Sequence, residues 1–518
     1  MVEQKGSRRW WAAGALAMSG VVIGIDATVL TLALPTLATD LHASTAELQW
    51  FLDAYLLVLG AAMLPAGLLG DRYGRKRLLL VALTLFGLGS LACAYSATSG
   101  QLIAARALLG LAAAFVLPLS ISVLPVLFDE NERQRALAVV VGSAIASYPL
   151  GPIVGGWLLT NFWWGSVFLI NVPVIAVALL AVAFLMPESR SAARPRLDPL
   201  GILLSTAGLV ALTYGVIKAG DQGWGNPSAI AYMAAGAVVL VGFVWWEHRA
   251  GRSGTQPLVD LNLFRSRSFS WGTILSTLLS FSLIGLLFAV PQYLQGVLGY
   301  DAMGAGLRLL PMIGGMIVGL GAGDRISTKA GPKTTVVIGI AVAGAGLIMG
   351  AFTGAQDGTA FAATWLAVAG MGTGVALPPA IDAALGRLTG ERSGAGSALI
   401  TAIRQVGGTF GVAVLGSVLN AAYRSRLDLT GLPSQAADAV RDNVAAGAVM
   451  ARQLGSADLL AMVHQAFIHG MDVLLACSGG IAMGAALLAL VFLPGRAGRR
   501  DEPPTPVRPA PAPAPTPV

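Results

Sequence analysis

The stretch "GLLGDRYGRKR" (residues 67–77) crowds Asp71, Arg72, Arg75, Lys76 and Arg77 into seven positions, between apolar stretches at 48–70 and 77–96. A helix of about 20 apolar residues spans a bilayer, so this charge cluster reads as a short turn at a membrane surface. Twelve further apolar stretches flank the pair: 10–36, 101–128, 135–159, 164–186, 198–217, 227–247, 268–296, 304–323, 334–353, 360–386, 395–422 and 466–493. The 518-residue chain is 55% hydrophobic and only 11% charged, with a mean hydropathy of +0.73. Soluble domains carry about 25% charged residues, so a soluble protein is excluded. The expected class is an all-α polytopic membrane protein with 14 transmembrane helices.

The charge pattern sets the orientation. Of the 33 Lys and Arg, 25 fall in the N-terminus, the C-terminus and alternate connections. The positive-inside rule then puts both termini in the cytoplasm of a cell-membrane protein. The net charge of +7 is thereby accounted for by topology, and no nucleic-acid partner is expected. The basic lead "MVEQKGSRRWW" precedes an apolar stretch too long for a signal peptide and reads as an uncleaved first span. Cys93 and Cys477 both lie in spans and read as small core residues, with no disulfide framework.

Two connections echo each other. "GAGDRISTKAGPK" (321–333) follows span 10 as "GLLGDRYGRKR" follows span 2, and repeated bundles mark secondary transporters. Placing the two turns in equivalent positions gives a 6+2+6 arrangement. Residues 1–196 form an N-terminal six-helix bundle, 197–262 an inserted pair, and 263–495 a C-terminal six-helix bundle. The latter carries a long polar extracytoplasmic loop at 424–465, whose helical spacing fits a small hairpin. The Pro-rich segment 496–518 is expected to be a disordered cytoplasmic tail.

These residues carry a resemblance. The first turn resembles the signature of the major facilitator superfamily, matching it at Gly67, Leu69, Asp71, Arg72, Gly74, Arg75 and Lys76. On physical grounds Gly67 would allow close helix approach. Asp71 would accept from Arg75 or sit at a neighbouring helix N-terminus, making the turn a gate. "LIAARALLGLAAA" (102–114) resembles the second family motif, with Arg106 and Gly110. "GSAIASYPLGPIVGG" (142–156) resembles the helix typical of antiporter members, with Gly142, Gly151, Pro152, Gly155 and Gly156. "IDATVLTLALP" (25–35), "FLINVP" (168–173) and "RQVGGTFG" (404–411) are similar to stretches of the fourteen-helix drug:proton antiporter family. The chain departs from that family at "WWGSV" (163–167), where many relatives have Trp-Arg-Trp. It departs again at Gln405, where some exporters of organic cations carry an acid.

Three lone charges interrupt the spans near one level. On a rise of 1.5 Å per residue, Asp26 lies about 24 Å from the inner face, and Asp53 and Arg106 about 9 Å and 8 Å from the outer face. A carboxylate at such depth is costly unless paired, hydrated or protonated. The expected role is a proton site: Arg106 favours the charged form of a nearby acid, while burial opposes it. A structural hydrogen-bonding Asp is the alternative for Asp26, and simple hydration the alternative for Asp53. Trp50, Tyr55, Trp271, Arg404 and Gln405 are candidate cavity-lining residues, with packing or a bundle-locking ion pair as the alternatives. Asp382 and Asp472 read as interfacial, and the four histidines fall in loops or near span ends.

No phosphate-binding Gly-x4-Gly-Lys-Ser/Thr loop, metal cluster or nucleophile constellation is present, so neither a cofactor nor an enzymatic activity is expected. The expectation is a monomeric proton-coupled antiporter, with protons and amphipathic or cationic drugs as small-molecule partners and the lipid bilayer as its medium. The alternatives are a dedicated exporter of one natural product and a membrane sensor without transport.

Overall fold

The computed structural model describes residues 6–129, 150–190, 198–252, 258–354, 359–385 and 390–494, with scattered positions between 132 and 147. Among these residues the chain is helical, without strands. Among the described residues, thirteen helices are long and apolar enough to cross a membrane. In chain order the helices are α1 (Gly6–Asp40), α2 (Thr45–Tyr73), α3 (Arg75–Ala94), α4 (Ser99–Leu127), α5 (Leu150–Asn161), α6 (Asn171–Leu185), α7 (Pro199–Gln222) and α8 (Pro227–Arg252). They continue as α9 (Arg267–Gln292), α10 (Ala302–Ala330), α11 (Pro332–Gly350), α12 (Thr359–Leu385), α13 (Gly390–Phe410) and α14 (Ala457–Phe492). The described part of the fifth expected span is α5; Gly142 lies outside the described residues.

Sequence explains the ends. Ser44 and Glu47 form a reciprocal capping box at α2, satisfying two of the orphan donors of a helix start. Thr98, Asp198, Ser266, Asp301 and Ser456 cap α4, α7, α9, α10 and α14. Gly74, at φ 118°, breaks α2 from α3, a conformation that glycine adopts without steric cost. Two helices carry π-turns: Tyr293–Val297 follows α9 just after Pro291, and Gly411–Leu415 carries α13 into a last segment, Gly416–Ser425. The long loop folds into two short helices, Ser434–Asp442 and Val444–Gln453, as its spacing predicts.

Two large hydrophobic cores and two small clusters result among the described residues. One draws almost wholly on α1–α6 and the other on α9–α14. The hairpin α7–α8 belongs to neither; Val216 and Ile217 of α7 pack with Ala413 and with Trp50 of α2. Val238, Val241, Val244 and Trp245 of α8 are exposed, which suits a lipid-facing helix. α7 is bound to the end of α13 by Ser417 Oγ to Val216 O (3.1 Å), Asn420 Nδ2 to Gly220 O (3.3 Å) and an Arg424–Asp221 ion pair (2.9 Å).

The helices meet at small residues, as expected where apolar lipid removes the hydrophobic drive for helix association. α5 has two such faces. A Cβ added at Gly151 or Gly155 would strike Thr28 and Val29 of α1, while Pro152 and Gly156 press on Gly306, Ala302 and Met303 of α10. Gly67 is different: an added Cβ would meet nothing within 4 Å. The sequence expectation of close approach there is corrected. Gly70, against Leu119 of α4, and Gly74, against Glu188, are the tight positions of that turn.

Gly67→Ala should therefore leave stability unchanged or raise it by up to about 1 kcal/mol, the helix-propensity difference. At Gly156 a Cβ would lie 2.8 Å from Met303 Cα and 2.9 Å from Ala302 O. Gly156→Ala should cost about 1–3 kcal/mol by overpacking. Thermal unfolding of the two variants in detergent checks the contrast, and equal effects would contradict this packing.

Candidate functional site

The polar centre lies inside the first core. Asp26 of α1 and Arg106 of α4 form an ion pair, Nη1 to Oδ2, at 2.7 Å, with side-chain exposures of 0% and 1%. The Arg106 guanidinium is held on two further sides. Its Nε donates to the Phe51 carbonyl of α2 at 3.0 Å, and its centre sits 4.3 Å over the Tyr55 ring, a cation–π arrangement. Gly110, one turn along α4, makes room for the Tyr55 backbone. The other oxygen of Asp26, Oδ1, accepts from Asn171 Nδ2 of α6 at 3.2 Å. Asn171 in turn lies 3.4 Å from Ser90 Oγ of α3. A Cβ added at Gly151 of α5 would come within 3.3 Å of the Ile25 carbonyl, so all six helices of the first half contribute.

Asp53 stands apart. It is fully buried on α2, two residues after Phe51, and neither of its oxygens has a hydrogen-bond partner among the described residues. Of the three charges that sequence reasoning puts near one level, two are paired and the third is left alone. The group is sealed in this conformation. A small apolar void lies instead in the second half, lined by Leu279, Ser282, Met312, Ala343, Thr373 and Ala482 among others.

At the rim formed by the α2–α3 turn, Arg75 Nε and Nη2 donate to Asp71 Oδ1 at 3.0 and 2.7 Å. Lys76 Nζ donates to the Ala183 carbonyl at 2.6 Å, and Arg72 lies over the Tyr73 ring at 5.4 Å. The anion at the α3 N-terminus is Glu188, whose Oε1 accepts from Lys76 N at 3.2 Å. Helix starts favour negative charge, and an acid three residues beyond α6 in a basic connection was the available signal.

The halves are tied at the opposite rim. Gln49 Nε2 of α2 donates to the Val412 and Ala413 carbonyls at 3.1 and 3.2 Å, inside the α13 π-turn, over Gly416. Gln295, in the other π-turn, donates to the Leu32 carbonyl of α1 at 2.9 Å. Asn443 of the loop helices donates to Ala43 O at 2.8 Å, and Thr45 Oγ1 to Asp442 O at 2.5 Å. A π-turn disturbs the regular ladder and leaves carbonyls for other donors. None of these glutamines stands out by sequence pattern.

The remaining candidates scatter. Trp50 packs toward α7, 6.3 Å from the Tyr214 ring, and Trp271 stacks on Phe492 of α14 at 4.7 Å. Neither joins the Asp26 group, whereas Tyr55 does. Arg404 Nε donates to Ser280 Oγ of α9 at 3.1 Å, and Gln405 packs against Gly60 of α2. Asp382 is exposed and Asp472 half-buried.

Comparison with known proteins follows the same lines. The family model of the Major Facilitator Superfamily matches residues 16–412. The chain is 33% identical over 497 residues to the tetracenomycin C resistance and export protein of Streptomyces glaucescens, covering 93% of this chain and 91% of that one. It is 33% identical over 494 residues to the multidrug efflux pump LfrA of Mycolicibacterium smegmatis, with 95% of each covered. Among solved structures, a bacterial homologue of the human lysosomal transporter Spinster superposes with a TM-score of 0.67 at 15% identity, over 94% of this chain and 97% of that one. A D-xylose–proton symporter gives 0.59 at 15%, over 94% and 99%. By its helices, its motifs and these matches, the chain belongs to the Major Facilitator Superfamily.

Proposed function

We propose that the protein is a proton-coupled antiporter that exports amphipathic or cationic drugs or antibiotics by alternating access, as a monomer with both termini in the cytoplasm. The names of its relatives, a tetracenomycin C exporter and a multidrug efflux pump, support the substrate class. The observation that carries the coupling is the presence in the first half of a buried Asp26–Arg106 pair and, apart from it, a buried Asp53 without a partner among the described residues.

The two acids differ in what proton uptake would break. Protonating Asp26 gives up an ion pair and competes with a second donor, Asn171. Protonating Asp53 breaks no bond. An isolated ionised carboxylate is costly at membrane depth, so Asp53 is the group suited to carry the proton. Asp26 and Arg106 act as a fixed charged pair that anchors α1, α2 and α4. The bonds at the rim opposite the α2–α3 turn hold that side closed in the conformation described, and must part for release there. The N-terminal bundle 1–196, the inserted pair and the C-terminal bundle then serve as two rocking bodies with the hairpin carried on α13.

Proteoliposomes with an acidic lumen test the coupling, with ethidium as the probe. Wild type should concentrate ethidium. Asp53→Asn should reduce the pH-driven component by about tenfold or more, the factor that 1.4 kcal/mol represents, while downhill exchange persists. Wild-type-like pH-driven transport by Asp53→Asn would refute Asp53 as the proton carrier, and the same result in Asp26→Asn as well would refute coupling through this group. The names of the tetracenomycin C and puromycin relatives favour a second reading, an exporter of one natural product. Movement of a single compound from a broad panel would select it.

Arg106→Ala leaves the buried Asp26 charge without its cation and should destabilise by about 3–5 kcal/mol. Adding Asp26→Asn should recover a large part of that loss. Thermal unfolding of the single and double variants is the check, and additive losses would show that the pair does not interact.

A further inference from the structure

"FLINVP" (168–173) lies at the start of the sixth helix of the first half. In the structure its Asn171 opens α6, with exposure of 2%. An Asn at a helix start commonly caps the helix, but Ile170 holds the cap position and no side chain caps it. The Asn171 amide reaches sideways instead. Its nitrogen lies 3.2 Å from Asp26 Oδ1 and 3.4 Å from Ser90 Oγ. The amide orientation is fixed by chemistry: an ionised carboxylate only accepts, so the NH2 end must face Asp26. Asp26 thus has a donor on each oxygen, Arg106 on Oδ2 and Asn171 on Oδ1.

The groups around Asp26 are few. From α4 comes Arg106 and from α3 the Cys93 thiol, in electrostatic reach of both charges. From α2 comes Tyr55, beneath Arg106, and from α5 only Gly151. Among the described residues no second cation faces the carboxylate, so the Asn171 amide is the second hold on Asp26 after Arg106, whereas Asp53 is held by nothing.

We propose that Asn171 is the positioning residue of the coupling group: by occupying Asp26 Oδ1 it keeps Asp26 as the fixed counter-charge of Arg106 and leaves proton exchange to Asp53. This rests on the proton-antiport reading for its role in transport, while the Asn171–Asp26 link itself stands on geometry alone. Hydrogen bonds to a charged group are stronger than those between neutral groups, so their removal alters which form of Asp26 is favoured.

The test uses Asn171→Leu, of similar shape without the donor, in the full-length purified protein. Acid-induced infrared difference spectra read the protonated-carboxyl band of Asp26, identified as the band lost in Asp26→Asn. In Asn171→Leu this band should appear about one pH unit higher than in wild type, and should be absent from the Asp26→Asn/Asn171→Leu double variant. The pH at half-maximal ethidium transport should move in the same sense in Asn171→Leu and not in the double variant. A merely structural Asn171 would lower thermal stability and leave both midpoints in place. An unshifted band in a folded Asn171→Leu protein overturns the proposal. A shifted band in a protein whose wild type shows no pH-driven transport upholds the Asn171–Asp26 link and overturns the antiport reading instead.

Discussion

A full charge deep in the first transmembrane helix has to be answered by another, and the Asp26–Arg106 contact at 2.7 Å is that answer. The rest of the first half is arranged around it. Arg106 uses its guanidinium face on Tyr55 and its Nε on the Phe51 carbonyl, so α2 is fixed to α4 at the level where α1 meets both. Asn171 brings in α6, Ser90 brings in α3, and Gly151 lets α5 close over the same turn of α1. A buried ion pair gains little over an apolar cluster of equal shape, because desolvation offsets most of the attraction. Its effect is one of constraint: once the two charges are present, few registers of α1 against α4 avoid stranding one of them.

Elsewhere the packing depends on what is missing from side chains. α5 turns Gly151 and Gly155 to α1 and Pro152 and Gly156 to α10, one pair of faces for each half. α13 and the π-turn after it behave similarly, with Gly407, Gly408 and Gly411 against α9 and Gly408 also facing Leu56 of α2. Close backbone approach gains dispersion contacts that lipid cannot supply. It also leaves the joined faces smooth, with the polar links between halves concentrated at the rim around Gln49, Gln295 and Asn443. Those links run from side-chain amides to backbone carbonyls, neutral bonds worth about 1 kcal/mol each, which suits an interface that must both hold and release.

Spans, their number and the charge bias were legible because they depend on composition over twenty residues at a time. The Asp26–Arg106 pairing was legible because charge is rare in such spans and helical rise gives depth. What escaped depends on single contacts. Gly67 matches the family signature but faces open space, whereas Gly70 and Gly74 do the packing; the sequence shows three glycines and not which one meets a neighbour. Glu188 reads as one more loop acid until its helix-start position is seen. Asn171 and Gln49 are polar residues in apolar helices, without periodicity to mark them, and their partners lie 145 and about 360 residues away in the chain. Trp50 and Trp271 carry the composition of a binding cavity but pack on α7 and α14.

The division between the two acids has a consequence for how rocking could act on them. Asp26, Arg106, Asn171 and Ser90 all belong to the first half, so a rigid-body movement of that half leaves their mutual bonds unchanged. A group whose partners never change is poorly placed to take up and lose a proton in step with the motion. Asp53 rides on α2, which is wedged between α4 on one side and α13 and α7 on the other. Gly60 and Leu56 of the same helix touch Val406 and Gly408 of the second half, and Gln49 is bonded across the seam. When that seam shifts, the surroundings of α2 shift with it, and Asp53 is the carboxylate that α2 carries. In the proposed cycle the fixed pair therefore supplies the frame, and the unpartnered acid beside the moving seam supplies the exchange.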